Sequence, residues 1–234
     1  MKTMIICATM LATVLSCGPE SKADVFDIKV SAFEEVNLKV PAEVTWEDDD
    51  NSPACIIECS AENGQKLEAF VEGRTLVIKS KNKNWSDWGD KSGRILIRLK
   101  SSMLSKVSIN GSGNFTMKNR NDSPDFEYTI NGSGDLRAMV DAGSCKGTIN
   151  GSGDVTIGGK SASFDCSING SGDVKAFNLQ AQAVDIHIAG SGDAEVHATE
   201  SLNVKIAGSG DVKYKGDPKK LNQKVAGSGE LKKV

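Results

Sequence analysis

Seven times the chain places an acid, or its amide, directly after a Gly-Ser-Gly bend: Asn114, Asp135, Asp154, Asp173, Asp193, Asp211 and Glu230. Carboxylates are hard oxygen donors, so the column Asp135, Asp154, Asp173, Asp193 and Asp211 is a candidate cation ladder, with calcium the ion it would suit. Stacked at a strand spacing of about 4.8 Å, neighbouring charges in water repel by only about 0.9 kcal/mol, so the column stands without a metal. The calcium-binding nonapeptide Gly-Gly-x-Gly-x-Asp is not matched, because each Asp here follows the second glycine directly and nothing recurs at nine residues. The expectation is therefore no obligatory cofactor and no metal site, each acid capping its own bend through local backbone bonds, with Ser helping.

The remaining chemistry-bearing residues are few. A dinucleotide fingerprint needs a third glycine three residues after the second, where the chain has Thr116, Arg137, Thr156, Lys175, Glu195, Lys213 and Lys232. There is no Gly-x-Ser-x-Gly elbow, and the two histidines, His187 and His197, alternate with apolar residues on an outward face. Catalytic residues are expected to be none. Trp85 and Trp88, in Asn84-Trp85-Ser86-Asp87-Trp88-Gly89-Asp90, are candidate ligand contacts, since indole faces stack on sugars and anchor protein interfaces. The competing reading folds both down over a solenoid end. The run Glu47-Asp48-Asp49-Asp50-Asn51 could bind a cation, but an acidic run is usually a solvated turn.

These residues must be positioned by a repeat. The first glycines of the bends fall at 111, 132, 151, 170, 190, 208 and 227, so successive copies lie 21, 19, 19, 20, 18 and 19 residues apart. Before each bend, alternate residues are apolar (Phe126, Tyr128, Ile130; Phe164, Cys166, Ile168; Val184, Ile186, Ile188), and after it the alternation resumes (Val155, Ile157; Val174, Ala176). That is a period-two strand pattern with one buried face, and it predicts two short strands around each bend. Asn-Gly is also a hairpin signal, so a meander of antiparallel hairpins competes. Three copies replace Asn with Ala (Ala189, Ala207, Ala226), which favours rungs stacked in register along a parallel solenoid. The bulk composition agrees: only 12 aromatics against 24 glycines means a core of small aliphatic side chains.

The first segment reads as an address. Lys2 is followed by an uncharged apolar run ending at Val14-Leu15-Ser16-Cys17-Gly18, which is a secretory signal. Its end resembles the bacterial lipobox, which makes Cys17 the expected lipidation site. Removal of residues 1–16 takes the formal charge from −3 to −4. A mildly acidic chain offers no electrostatic footprint for nucleic acid. Of six cysteines, Cys7 leaves with the signal and Cys17 carries lipid; Cys55, Cys59, Cys145 and Cys166 are expected to be free. In a strand Cys55 and Cys59 lie about 13 Å apart, and Cys145 and Cys166 fall in different columns of adjacent rungs, about 8 Å apart, both beyond disulfide reach.

The Ile-Asn-Gly-Ser-Gly-Asp cores, the lead-in from Gly93-Arg94-Ile95-Leu96 through Ile109-Asn110-Gly111, and the opening Phe26-Asp27-Ile28-Lys29-Val30 together resemble the auto-transporter adhesin head GIN domain of bacterial envelope proteins. The resemblance implies an all-β, right-handed parallel β-helix of roughly 19-residue rungs, similar to the pectin-lyase architecture without its catalytic residues, and a role in cell adhesion. One departure is Lys100-Ser101-Ser102, where family members often have proline.

The organisation expected is a signal peptide over 1–17, irregular β rungs or a cap over 18–104, and the regular solenoid over 105–234, continuous with what precedes it. The function expected is that of a lipoprotein of the cell outer membrane of a Gram-negative bacterium, surface exposed, binding a host or bacterial surface glycan or protein without catalysis. Its membrane contact is through the lipid anchor only, and nucleic acid is not a partner. The alternatives are a polysaccharide-cleaving β-helix enzyme, which needs acid and base carboxylates in one cleft, and a purely structural envelope component. The last rung, ending Leu231-Lys232-Lys233-Val234, presents an open edge, so a homo-oligomer is a further expectation.

Overall fold

A computed structural model of the chain describes residues 23–49, 54–81 and 93–234, together with the backbone of 11–12. The alternating pattern becomes strand almost throughout: β1 Leu11–Ala12, β2 Asp24–Ile28, β3 Glu35–Leu38, β4 Glu43–Asp48, β5 Ala54–Cys59, β6 Leu67–Glu72, β7 Thr75–Ser80, β8 Leu96–Ser101, β9 Lys106–Gly111 and β10 Asn114–Asp122. Then follow β11 Asp125–Gly132, β12 Leu136–Gly151, β13 Val155–Gly170, β14 Val174–Gly190, β15 Ala194–Gly208, β16 Val212–Lys215, β17 Lys220–Gly227 and β18 Leu231–Lys233. The single helix among the described residues, α1, spans Ala61–Lys66.

From β9 to β16 every strand pairs in parallel with its equivalent one repeat later, giving a β-solenoid of about 7 turns roughly 19 residues apart. Parallel register excludes the hairpin meander. Ile130, Ile149, Ile168, Ile188 and Ile206 are aligned partners, each 2% exposed or less, so one isoleucine column runs down the core. The polar residues between them, Thr129, Thr148, Ser167, His187 and Lys205, form the matching outward column.

The two short strands expected per repeat are a correction to make. Each central rung is one bent strand of 15 to 17 residues running from bend to bend. It carries two further inward columns between the recognised ones: Val140, Gly159 and Leu179, then Ala142, Ser161, Ala181 and Ala198. Their pattern was obscured by small and polar residues and by register shifts near Gly158 and Ala176, which break strict alternation.

The bends explain the glycines. Gly170 has φ +140, and a β-carbon built there would lie 2.2 Å from the carbonyl oxygen of Gly151 in the preceding rung. The second glycine is equally constrained, because a β-carbon on Gly172 would lie 2.2 Å from the oxygen of Gly153. Rungs therefore approach until backbone touches backbone, and the amide of Ser171 donates to the Gly151 carbonyl at 2.9 Å.

The beginning of the chain is threaded differently. β3 and β4 form a rung that lies between β7–β8 on one side and β9–β10 on the other, all in parallel. Sequence order and spatial order thus part company. Beyond β7 and β8 the pairing reverses: β6 is antiparallel to β7, β5 to β8, and β2 to β5. Helix α1 packs against β2 and β5; Ser60 caps it through Oγ, which accepts from the Asn63 amide at 3.3 Å. Gly64 lets the Phe26 ring approach, since a β-carbon there would meet Cζ at 2.3 Å.

Candidate functional site

The strands present their outward residues as ladders, and the bends add two more. On the strand side of the bend, Asn131 Nδ2 donates to Asn110 Oδ1 (2.9 Å), Asn150 to Asn131 (2.8 Å) and Asn169 to Asn150 (3.0 Å), the run starting on Asn37. Each amide donates to one neighbour and accepts from the next, so the ladder satisfies itself along the axis. It stops at Asn169, where Ala189, Ala207 and Ala226 take over the column.

On the far side of the bend stands the acid column. Asp135, Asp154, Asp173, Asp193 and Asp211 are brought together in consecutive rungs, as the repeat predicted. Their bonding is not local to each bend, which corrects the expectation of self-capping. The amide of Asp154 donates to Asp135 Oδ1 (3.1 Å), Asp173 to Asp154 (3.0 Å), Asp193 to Asp173 (2.9 Å), Asp211 to Asp193 (2.8 Å) and Glu230 to Asp211 (2.8 Å). Asn114 does the same for Asp135 at 3.1 Å. Each Asp of the column thus clips the next rung by a charge-assisted bond, which gives the position after Gly-Ser-Gly a reason to carry a side-chain oxygen. Among the described residues no three His, Cys, Asp or Glu side chains converge as a metal-ligating group.

A shallow groove on one outer wall is lined by Lys146, Asp165, Ser167, Asn169, His187 and Lys205. Within it His187 Nδ1 lies 3.0 Å from Asp185 Oδ1, and Asp185 Oδ2 accepts from Asn203 Nδ2 at 2.7 Å. Ser167 is the cross-rung neighbour of His187, but no hydrogen bond joins the two among the described residues, so a nucleophile-base-acid chain is not assembled. His187 and its carboxylate partner are both partly exposed.

The four described cysteines are free and buried. Burial pushes the thiols of Cys55 and Cys166 up from 9.0 to about 12; repulsion from Asp27 adds to it at Cys55, whereas at Cys166 the Tyr128 hydrogen bond opposes it by more than Asp165 adds. Burial raises Cys145 further and holds the Tyr128 hydroxyl well above its ordinary range. Tyr128 is fully enclosed, its hydroxyl 3.3 Å from Cys166 Sγ two rungs on, and it reaches there because Gly147 between them has no side chain. These thiols are packing residues, protonated and shielded.

Three interactions escaped a reading of the sequence. Trp46 is buried, with Nε1 donating to Ser101 Oγ at 2.8 Å, so a serine within the stretch Lys100-Ser101-Ser102 holds the indole's proton. Asn121 is buried too, accepting from the Leu104 amide (2.8 Å) and donating to its carbonyl (2.7 Å). Lys100 reaches Asp49 at 3.2 Å, so the acidic run is partly neutralised. Long sequence separation hides all of these. Cys17, Trp85, Trp88, Asp50 and Asn51 lie outside the described residues.

The repeat architecture, with its glycine-paved bends, matches the family described as "Putative auto-transporter adhesin, head GIN domain" over residues 32–218. The chain belongs to that family. Solved structures of similar fold agree. A Bacteroides fragilis chain named a "putative adhesin" superimposes with a TM-score of 0.86 at 22% identity, over 92% of this chain and 99% of that one. A Parabacteroides distasonis chain named a "putative lipid binding protein" gives 0.75 at 26% identity, over 91% and 97%. A second P. distasonis "putative adhesin" gives 0.72 at 22% identity, over 92% and 98%. No curated protein matches the sequence. The GIN family and these neighbours are named as adhesins or binding proteins rather than enzymes, and adhesins act at the cell surface. No helix among the described residues is long and apolar enough to cross a membrane.

Proposed function

We propose that this GIN-domain protein is a lipid-anchored, surface-exposed protein of the outer membrane. In this reading Cys17 carries the anchor and the solenoid acts as a non-catalytic binding module for a host or bacterial surface glycan or protein. The observation that carries this reading is repetition. The same outward side chains recur in register rung after rung, as in Asn110, Asn131, Asn150 and Asn169, which suits many equal contacts along an extended ligand. Catalysis needs unlike groups converging on one point, and the repeated acids are instead engaged singly by backbone amides. Trp85 and Trp88 are the candidate hot spots of the contact.

The test presents the protein with immobilised host and bacterial glycans, matrix proteins and lipid vesicles, with and without calcium, and reads retention and glycan chain length together. Retention without shortening, weakened by Trp85→Ala and Trp88→Ala, is the expected result; shortening of the glycan overturns the non-catalytic reading. Retention that vanishes on chelation assigns the acid column to calcium. For the anchor, Cys17→Ser is expected to release the protein from the membrane fraction and to remove an acyl mass from its amino terminus.

A further inference from the structure

The two ends of the solenoid are opposite in charge and alike in backbone. Residues 205–234 carry eight lysines against three acids, whereas residues 23–80 carry thirteen acids against five basic residues. At the lysine-rich end, β17 pairs with β15 on one side, and no described strand pairs with its other edge. Its inward residues show the consequence. Leu221 is 46% exposed and Val225 38%, although their partners one rung earlier, Leu202 and Ile206, are buried. An edge of free amides and carbonyls backed by uncovered aliphatic side chains is a template for another strand.

At the acidic end the same wall finishes in β6. The line of pairings runs from β17 through β15, β14, β13, β12, β11, β9, β3 and β7 to β6. β6 pairs with β7 alone among the described strands, and α1 packs elsewhere, on β2 and β5. Leu67, Ala69 and Val71 point inward along β6, and Glu68, Phe70 and Glu72 alternate with them.

We infer that β17 of one molecule docks on β6 of a second copy of this chain, in antiparallel register, so that molecules associate head to tail. Lys220 and Lys224 are four residues apart, as are Glu68 and Glu72. The one register that sets Glu72 opposite Lys220 also sets Glu68 opposite Lys224. It brings Leu67 and Val71 against Val225 and Leu221 on the inner face, with Gln223 between them opposite Ala69. Cross-strand pairs of opposite charge and of aliphatic side chains are the units that stabilise a sheet. Among the described residues neither lysine has a carboxylate within ion-pair distance, so both are available; Glu68 now meets only Lys79, at 3.5 Å. The rival arrangement of two β17 edges meeting about a two-fold axis places Lys220 opposite Lys224 in the register centred on Asn222, where like charge opposes it. A head-to-tail contact is heterologous, so it propagates into short chains instead of closing as a dimer.

The experiment is sedimentation of the full chain over a range of concentrations at low and high salt, with two charge-reversed variants and their mixture. The expected result is a mass that grows with concentration at low salt, falls with salt, and stays monomeric in both Lys220→Glu/Lys224→Glu and Glu68→Lys/Glu72→Lys. Mixing the two variants is expected to restore growth of the mass with concentration, because their unaltered ends pair as in the wild type and their reversed ends, glutamates on β17 of one and lysines on β6 of the other, are complementary in turn. All substituted residues sit at strand edges, and circular dichroism checks that each variant is folded. A monomeric wild type at every concentration overturns the inference. So does association that survives in the Glu68→Lys/Glu72→Lys variant alone, which would mean β17 meets β17. Association unaffected by either variant assigns the contact to another surface. Binding of the lysine-rich end to anionic vesicles with no self-association would give that end a membrane partner and also overturn it.

Discussion

The stack from β11 to β15 and the end built from β2 to β8 solve the same burial problem by opposite means. In the stack each rung meets a near copy of itself, so any side chain must tolerate its own image one strand spacing away. Small aliphatics, amide ladders and bare glycine bends do this, and they recur. At the beginning of the chain the sheet has to stop. There the strands turn antiparallel, and the core is filled by large residues used once, among them Trp46, Phe33 and Phe26. Their polar atoms are answered by individual partners such as Ser101. Repetition makes the stack tolerant of length and intolerant of volume; the irregular end is the reverse.

One substitution made in both regions separates the two most sharply. Gly170→Ala puts a β-carbon 2.2 Å from a backbone oxygen at φ +140, and it is expected to cost at least about 3 kcal/mol. Gly73→Ala, at φ +65 in the turn between β6 and β7 with open space around it, is expected to cost about 1 kcal/mol. Urea unfolding midpoints of the two variants check this, and equal losses would mean the rungs can spread. Next in size is Ile168→Ala in the middle of the isoleucine column, expected to cost about 3 kcal/mol, against less than about 1 kcal/mol for Leu221→Ala in the last rung of the monomer at low protein concentration. A similar loss at both positions would show that Leu221 is covered in solution.

Alkali tests both regions at once, since Cys55 belongs to the irregular end and Cys166 to the stack. Unfolded, these thiols ionise near 9.0; folded, they hold their protons to about 12. Their contribution is therefore fully present below pH 9 and is lost as pH rises from there toward 12, by about 1.4 kcal/mol per pH unit for each thiol. Urea midpoints at about pH 8 and about pH 10 are expected to differ accordingly, and a thiol reagent is expected to label the native protein far more slowly than the unfolded one. The smallest effect concerns the acid column. Asp154→Ala removes the acceptor for the Asp173 amide and is expected to cost about 1 kcal/mol, whereas Asp154→Asn keeps an oxygen there, as Asn114 does for Asp135, and is expected to be near neutral. A large loss for the Asn variant, or one that appears only in calcium, would identify a bound cation instead of a structural clip.

The sequence by itself determined the rung. Strict alternation can bury only one face, a period near nineteen can only stack, and paired glycines at each bend announce that backbones meet there. The Asp column, the Asn column and the unpaired cysteines were legible for the same reason, because a repeated neighbour is known from the sequence alone. Only the tertiary structure decided where unlike segments meet. It set β3–β4 between β7–β8 and β9–β10, against chain order, and it gave each Asp a partner in the next rung instead of in its own bend. It also joined Trp46 to Ser101 and Leu104 to Asn121. Those choices depend on side chains far apart in the chain finding one another by shape and hydrogen bonding, and a one-dimensional pattern carries information only about neighbours that repeat.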